Sequence, residues 1–219
     1  MIEVTYVDHM GSDLSVVNAA RVSFGKKSEA LGASGVEGQP MTPILNDPDK
    51  RLIKYLAKHR HMSPFGHAFA SFHVKAPIFV ARQLVKHKFL RWNEISRRYV
   101  DDKPEFYSPD EWRGRADDKK QGSAGAVESI PVGALKVQGY CLAAYLDLLS
   151  SGVCPEQARI VLPQSTMTEW YWSGSLDAFA DMCNLRRKAD TQYETTRVAE
   201  CISLAMQSLF PLSWEALIQ

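Results

Sequence analysis

Between His67 and Lys75 the chain alternates strictly, with Ala68, Ala70, Phe72 and Val74 on one side and His67, Phe69, Ser71 and His73 on the other. An extended strand sends successive side chains to opposite faces, so this stretch is a strand with one buried face. It runs without a turn signal into Ala76 to Ala81, the longest unbroken apolar run, where Pro77 suits the first turn of a helix. Pro77, Val80 or Ala81, and Leu84 recur at helical spacing, which predicts a helix over 77–88 entered directly from the strand.

What that helix delivers is charge. Arg82 to Tyr99 holds six Lys or Arg residues, one His and one acid, in a chain whose net charge is only +1. Gln83 and His87 fall four apart on one face beside Lys86. Beyond Lys88, Asn93, Glu94, Ser96 and Arg98 form a segment too polar for a core and read as a loop. Cations and donors at a helix end, followed by that segment, can surround a phosphate and leave a carboxylate for a sugar or ring N–H. This is the outline of a nucleotide site.

The remaining elements follow from periodicity and caps. Residues 2–7 alternate as a strand, and Ser12 or Asp13 can cap a helix to about Ser23. Residues 25–43 are glycine-rich and read as a loop. Asp47-Pro48, as N-cap and first-turn proline, opens a helix to about His59 with Leu52, Ile53 and Leu56 inward. Residues 101–129 mix charge with few apolar residues and read as a solvated, variable loop. A helix over about 131–150 has Leu135, Leu142, Leu146 and Leu149 as its buried stripe, and Gly152 stops it. A helix from Pro155 ends at Pro163, Gln164 to Trp172 reads as a strand, and Ser175 caps a helix to about Lys188. A long helix from Asp190 to Phe210 is stopped by Pro211. Helices with a few separated strands imply an α+β fold, and residues 1–219 read as one domain without repeat or linker.

Composition narrows the function. No apolar run approaches the roughly 20 residues needed to span a bilayer, and the start lacks the basic and apolar regions of a signal peptide. No membrane association and a cytoplasmic location are expected. Cys141, Cys154, Cys183 and Cys201 match no zinc or redox spacing and read as reduced and structural, with Cys154 at a helix start the one to watch. The histidine pairs at 59 and 61 and at 67 and 73 lack an attached carboxylate or Cys triad, so no metal is expected. A Gly-x-Gly-x-x-Gly fingerprint is missing, which does not support a Rossmann fold.

Lys86-His87-Lys88, seven residues, Ser96, one residue and Arg98 resembles the Arg-His-Arg, seven residues, Ser, one residue, Arg signature of the flavin-dependent thymidylate synthases. The similarity extends to Ala19 to Ser23, His61 to His67, Lys75 to Gln83, Ala158 to Pro163, Leu185-Arg186 and Gln192-Tyr193-Glu194. The resemblance implies a central, mainly antiparallel sheet flanked by helices, with long C-terminal helices. It implies reductive methylation of dUMP to dTMP without a cysteine nucleophile, with methylenetetrahydrofolate as carbon donor and FAD, reduced by NADPH, as cofactor. It also implies a homotetramer whose sites draw on several chains, and no nucleic-acid partner.

Carried onto this chain, the resemblance assigns dUMP to Gln83, Lys86, Glu94, Ser96, Arg97, Arg98, Arg159 and Arg186, and the flavin to His61, Ser63, Lys86, His87, Lys88 and Glu94. Arg186 is the catalytic candidate, a cation that activates the pyrimidine at N3; its plain alternative is a helix C-terminal charge. His61 is alternatively an exposed loop histidine. Arg21 is either a solvated helix cation or a residue near the site entrance or a subunit contact. The chain departs from the family at Lys86 and Lys88, which keep charge without the arginine fork. It departs again at Asp181 and Asp190, whose charge weakens a flavin diphosphate site unless Arg187 and Lys188 compensate. Two competing functions remain: a non-catalytic nucleotide- or nucleic-acid-binding module using residues 82–98 with Trp92 and Tyr99 stacking, and a different carbon transfer to a pyrimidine nucleotide.

Overall fold

The 67–75 alternation becomes the strand Phe69–Pro77 (β4), central to the molecule. The computed structural model describes residues 1–35, 41–117 and 122–218. Four strands make one antiparallel sheet in the order β1 (Glu3–Met10), β4, β6 (Met167–Ser175) and β5 (Leu90–Glu94). Ala70, Phe72, Val74 and Ala76 of β4 and Trp170 and Trp172 of β6 are almost fully buried, whereas Ser71, His73 and Lys75 on the alternate face are half-exposed. Phe72 and Trp172 meet Phe179 edge-on at 5.3 and 5.6 Å. Phe179 belongs to the helix Leu176–Arg186 (α6), and the helix Tyr193–Leu209 (α7) adds Val198, Ala199, Ile202 and Met206 to the same core. The architecture is α+β, with a mainly antiparallel sheet and long C-terminal helices.

Several boundaries differ from the sequence expectation. The first strand reaches Met10, and the helix after it (α1, Asp13–Arg21) tightens into a 3-10 turn through Phe24. Ser12 is its N-cap, because Asp13 is recruited elsewhere. Buried Asp13 accepts from the backbone N–H groups of Leu212 and Ser213, capping the final helix Pro211–Leu217 (α8). Pro211 therefore starts a helix as well as following one, as a proline suited to a first turn can. The 25–43 stretch contains a short hairpin, Gly32–Ser34 (β2) with Thr42–Ile44 (β3); positions 36–40 of the expected loop lie outside the described residues. The cap of the next helix (α2, Asp47–Lys58) is Asn46, not Asp47: its side chain accepts from the Asp49 N–H at 2.9 Å.

The helix expected over 77–88 is shorter. Pro77 closes β4 and caps the helix Ile78–Leu84 (α3), so Lys86, His87 and Lys88 lie in the turn beyond it. Phe89 then takes a left-handed φ of 65° and the chain turns into β5, where a loop was expected. Leu90 and Trp92 alternate there with exposed Arg91 and Asn93, and Trp92 stacks on Trp170 at 4.2 Å. The helix Val132–Ser150 (α4) departs most from expectation. Only Tyr145 is buried along it, and Leu135 and Leu146 of the predicted stripe are exposed. The helix Pro155–Ala158 (α5) is a single turn continued by a 3-10 turn to Val161.

Candidate functional site

The sequence-predicted residues gather into separate groups. In the first, Arg186 ends α6 and reaches back to the turn after α3. Its Nε donates to His87 Nε2 at 2.9 Å and its Nη2 donates to the Gln83 carbonyl at 3.2 Å. Neither bond uses Nη1. Because His87 accepts this bond it is a neutral imidazole, and burial, reinforced by the Arg186 charge, lowers its pKa to about 4. Burial also lowers the pKa of Arg186. The first turn of α7 completes the arrangement: Gln83 Nε2 donates to Gln192, Thr195 Oγ1 donates to Gln83 Oε1 at 3.3 Å, and Thr196 Oγ1 donates to the Arg186 carbonyl at 3.0 Å.

Gln83 and Arg186 line a cavity of about 1030 Å³ walled by the 107–113 segment, α4 and the α6–α7 junction. Its size suits a ligand of nucleotide class. Tyr107, Arg113, Gln138, Gln192 and Glu194 add polar groups to the wall, and Phe79 and Trp112 add aromatic ones.

The second group sits at the end of β5. Glu94 accepts from Thr168 Oγ1 at 2.6 Å and from Trp92 Nε1 at 3.1 Å, which fixes its carboxylate. Ser96 Oγ accepts from the Arg98 N–H, and Arg98 Nε donates to Glu156 Oε2 at 2.7 Å. Arg159 Nε donates to the Glu156 carbonyl at 3.2 Å. Two exposed guanidinium groups therefore bond to one residue of α5, Arg98 to its carboxylate, which a phosphate can replace, and Arg159 to its carbonyl. None of Glu94, Ser96, Arg98 and Arg159 lines the cavity of Gln83 and Arg186. Arg97 turns away: its Nη1 donates to the carbonyl and to Oδ1 of Asp102, both at 2.7 Å, beside a separate cavity of about 90 Å³.

The residues assigned to the flavin are divided. His87 is held by Arg186, while exposed Lys86 and Lys88 are in no ion pair among the described residues. His61 follows α2, its ring parallel to Tyr55 at 6.0 Å, and Ser63 opens the next 3-10 turn. Asp181 faces Arg60 at 3.9 Å, so its compensating cation is neither Arg187 nor Lys188. Lys188 and Asp190 both line the large cavity.

Other expectations resolve as structure. Partly exposed Arg21 donates through Nε (2.9 Å) and Nη2 to fully buried Asp49, so its charge is paired. Cys183 is buried, its thiol pushed up to about 12 by burial, so it is not a ready thiolate nucleophile. Stacking of Trp92 on Trp170 leaves one face of that ring unavailable to a nucleic-acid base. Sequence reasoning missed Tyr107 and Arg113 because the 101–129 segment looked only solvated, and Gln138 because it is an isolated amide in the largely apolar α4. One signal was present: Glu194, Val198, Ile202, Met206 and Leu209 recur on one helical face, and an acid on such a stripe requires a cation.

An arginine at a helix end held against a neutral histidine, with a second cationic group beside a fixed carboxylate, has the form of a nucleotide-modifying enzyme. The solved structure of a UMP/dUMP methylase, PolB from Streptomyces cacaoi bound with 5-Br dUMP, superposes with a TM-score of 0.80 at 32% identity, covering 99% of this chain and 94% of that one. Together with the relatives of this chain, this likeness makes it a methyltransferase. The chain belongs to the thymidylate synthase complementing protein family, which it matches over residues 5–212. Among its relatives, a flavin-dependent thymidylate synthase of Thermus thermophilus is 40% identical over 215 residues, covering 97% of this chain and 74% of the relative. That of Thermosipho africanus is 38% identical over 225 residues, covering 97% and 89%.

Proposed function

We propose that this chain methylates C5 of dUMP reductively to form dTMP, with FAD as cofactor and with methylenetetrahydrofolate and NADPH as co-substrates. The bond to neutral His87 from Arg186, a residue that lines a nucleotide-sized cavity, carries this reading. For C5 to become nucleophilic without a thiolate adduct, negative charge must develop on the pyrimidine. A guanidinium held by two internal acceptors is pre-oriented to stabilise it, and partial burial strengthens the effect. Gln83, fixed by Gln192 and Thr195, supplies an amide to orient the ring. Arg98, Arg159 and Ser96 take the phosphate, which displaces the Glu156 carboxylate from Arg98, and Glu94 accepts from the sugar or the ring.

The residues present fit a flavin. Lys86 and Lys88 are exposed cations suited to a diphosphate, His61 offers an aromatic surface, and Arg60 offsets the Asp181 charge. When bound, the flavin supplies the redox chemistry that converts the transferred carbon to a methyl group. Lys86 and Lys88 would hold its diphosphate as point charges.

The separation of the Gln83–Arg186 cavity from the Ser96–Arg98–Arg159 group favours a site completed between chains, as in the homotetramer we propose. Val132, Leu135, Val137, Tyr140 and Leu146 of α4, all exposed and apolar, favour self-association as well. Addition of NADPH to the flavin-loaded protein should bleach its visible absorbance, and dUMP should shift the spectrum. Arg186→Met should abolish dTMP formation in a folded protein, whereas full activity would exclude the role given to Arg186. UMP offered in parallel tests the other pyrimidine substrate, since the PolB neighbour is a methylase of both nucleotides.

A further inference from the structure

Glu194 is 4% exposed, at the start of α7, in the helical turn that holds Gln83 and Arg186. A carboxylate so buried costs several kcal/mol unless it is paired and hydrogen-bonded. Its Oε1 accepts from Arg113 Nη2 at 2.6 Å and from the Tyr107 hydroxyl at 3.3 Å. Both donors lie in the 101–129 segment. The Arg113 guanidinium also lies over the Tyr193 ring at 4.4 Å, and its Nε donates to Ser123 Oγ at 3.0 Å.

The segment is itself anchored. Phe106 bridges to Thr166, the Tyr107 N–H donates to the Ser165 carbonyl at 2.8 Å, and Gln138 of α4 donates to the Tyr107 carbonyl at 2.8 Å. Gly122, at φ +86°, lies so close to Asp190 that an added Cβ would stand 3.4 Å from that residue's backbone. Residues 106–113 are thus braced by the strand end before β6 and by α4 on one side and grip the α6–α7 junction on the other; positions 118–121 lie outside the described residues.

We propose that Arg113 is a positioning residue for the nucleotide site. Through Glu194 it sets the first turn of α7, and through Gln192, Thr195 and Thr196 that turn sets Gln83 and Arg186. Cavity walls that contain Arg113, Glu194, Gln83 and Arg186 together put this connection beside the ligand. The identity of that ligand rests on the nucleotide reading above.

The test uses the flavin-loaded full chain with Arg113→Met, Glu194→Gln, the double variant and Arg113→Lys. Arg113→Met leaves a buried charge unpaired, and the dUMP dissociation constant and KM should rise about tenfold, with kcat changing less. The double variant should recover most of the loss, because no unpaired charge remains. Arg113→Lys keeps the charge without the fork and should fall between them, which preserves a test if Arg113→Met does not fold.

Unchanged dUMP binding in folded Arg113→Met, or a double variant no better than the single, overturns the proposal. A ligand-free readout separates it from the nucleotide reading. If Arg113 holds Arg186 against His87, Arg113→Met should let His87 titrate at higher pH by NMR, and an unmoved titration overturns the positioning role. A wild-type chain that binds no dUMP while His87 responds in this way would reject the nucleotide reading and keep the positioning role.

Discussion

Protonation of His87 should break the contact that orients Arg186, and its cost can be worked from the structure. The folded chain holds the imidazole neutral down to about 4, first through burial and then through the Arg186 charge, whereas the ordinary value is 6.5. Between those values the unfolded chain binds a proton that the folded chain refuses, so stability increases with pH across this window. The contribution is fully present above 6.5 and is lost as pH falls toward 4. At about 1.4 kcal/mol per pH unit the ceiling is about 3.5 kcal/mol, and solvent screening of this half-buried ring reduces it to about 1–2 kcal/mol. His87→Gln keeps an acceptor near the Nε2 position and removes the titration. Urea unfolding of both proteins at a series of pH values isolates the effect, because every other group cancels in the difference. The wild type should lose about 1–2 kcal/mol relative to His87→Gln between pH 7.5 and 4.5. A difference flat with pH would refute the neutral His87–Arg186 contact.

Two further perturbations concern the backbone. Arg60, at φ 58°, follows the end of α2, and the N–H of His61 closes the turn on the Leu56 carbonyl at 2.9 Å, an arrangement that favours glycine. A left-handed arginine costs about 1–2 kcal/mol and glycine loses about 0.5–1 kcal/mol through the unfolded state, so Arg60→Gly should stabilise the fold by about 0.5–1 kcal/mol. The exposed pair with Asp181 offsets little of this, and a lowered urea midpoint would contradict the assignment. A Cβ at Gly174 would stand 2.4 Å from Leu90 Cδ2 and 3.1 Å from the Phe89 carbonyl oxygen. Gly174→Ala should therefore cost about 1–3 kcal/mol by overpacking and weaken dUMP binding through β5, which carries Glu94. Unchanged stability by urea unfolding would show that β5 yields without strain.

Local pattern made much of this legible. The 67–75 alternation became β4 with the expected residues buried, and Ser175 capped α6, because these features depend only on neighbours in the chain. Failures came where a distant element competed. Of the two candidate caps for α1, Ser12 takes the position, while Asp13 is drawn away to cap α8. Leu135 and Leu146 looked like core and are exposed, since apolar periodicity marks a face without saying what covers it. Leu90 and Trp92 alternate as strand residues, but the charges around them masked the pattern until β6 and the space above Gly174 received them.

By itself the sequence determined the α+β class, the basic stretch after α3 and a set of residue types suited to a nucleotide, because local spacing and composition encode these directly. Only tertiary structure decided which of these residues meet. Arg186 lies 99 positions from His87 and still bonds to it, Arg97 is diverted to Asp102, and Arg98 joins Arg159 at Glu156. It also revealed the Arg113–Glu194 pair, which spans 81 positions and turns a segment that read as solvated into a wall of the site. The physical reason is that a buried charge must find its partner in space, and sequence separation does not say where that partner will be.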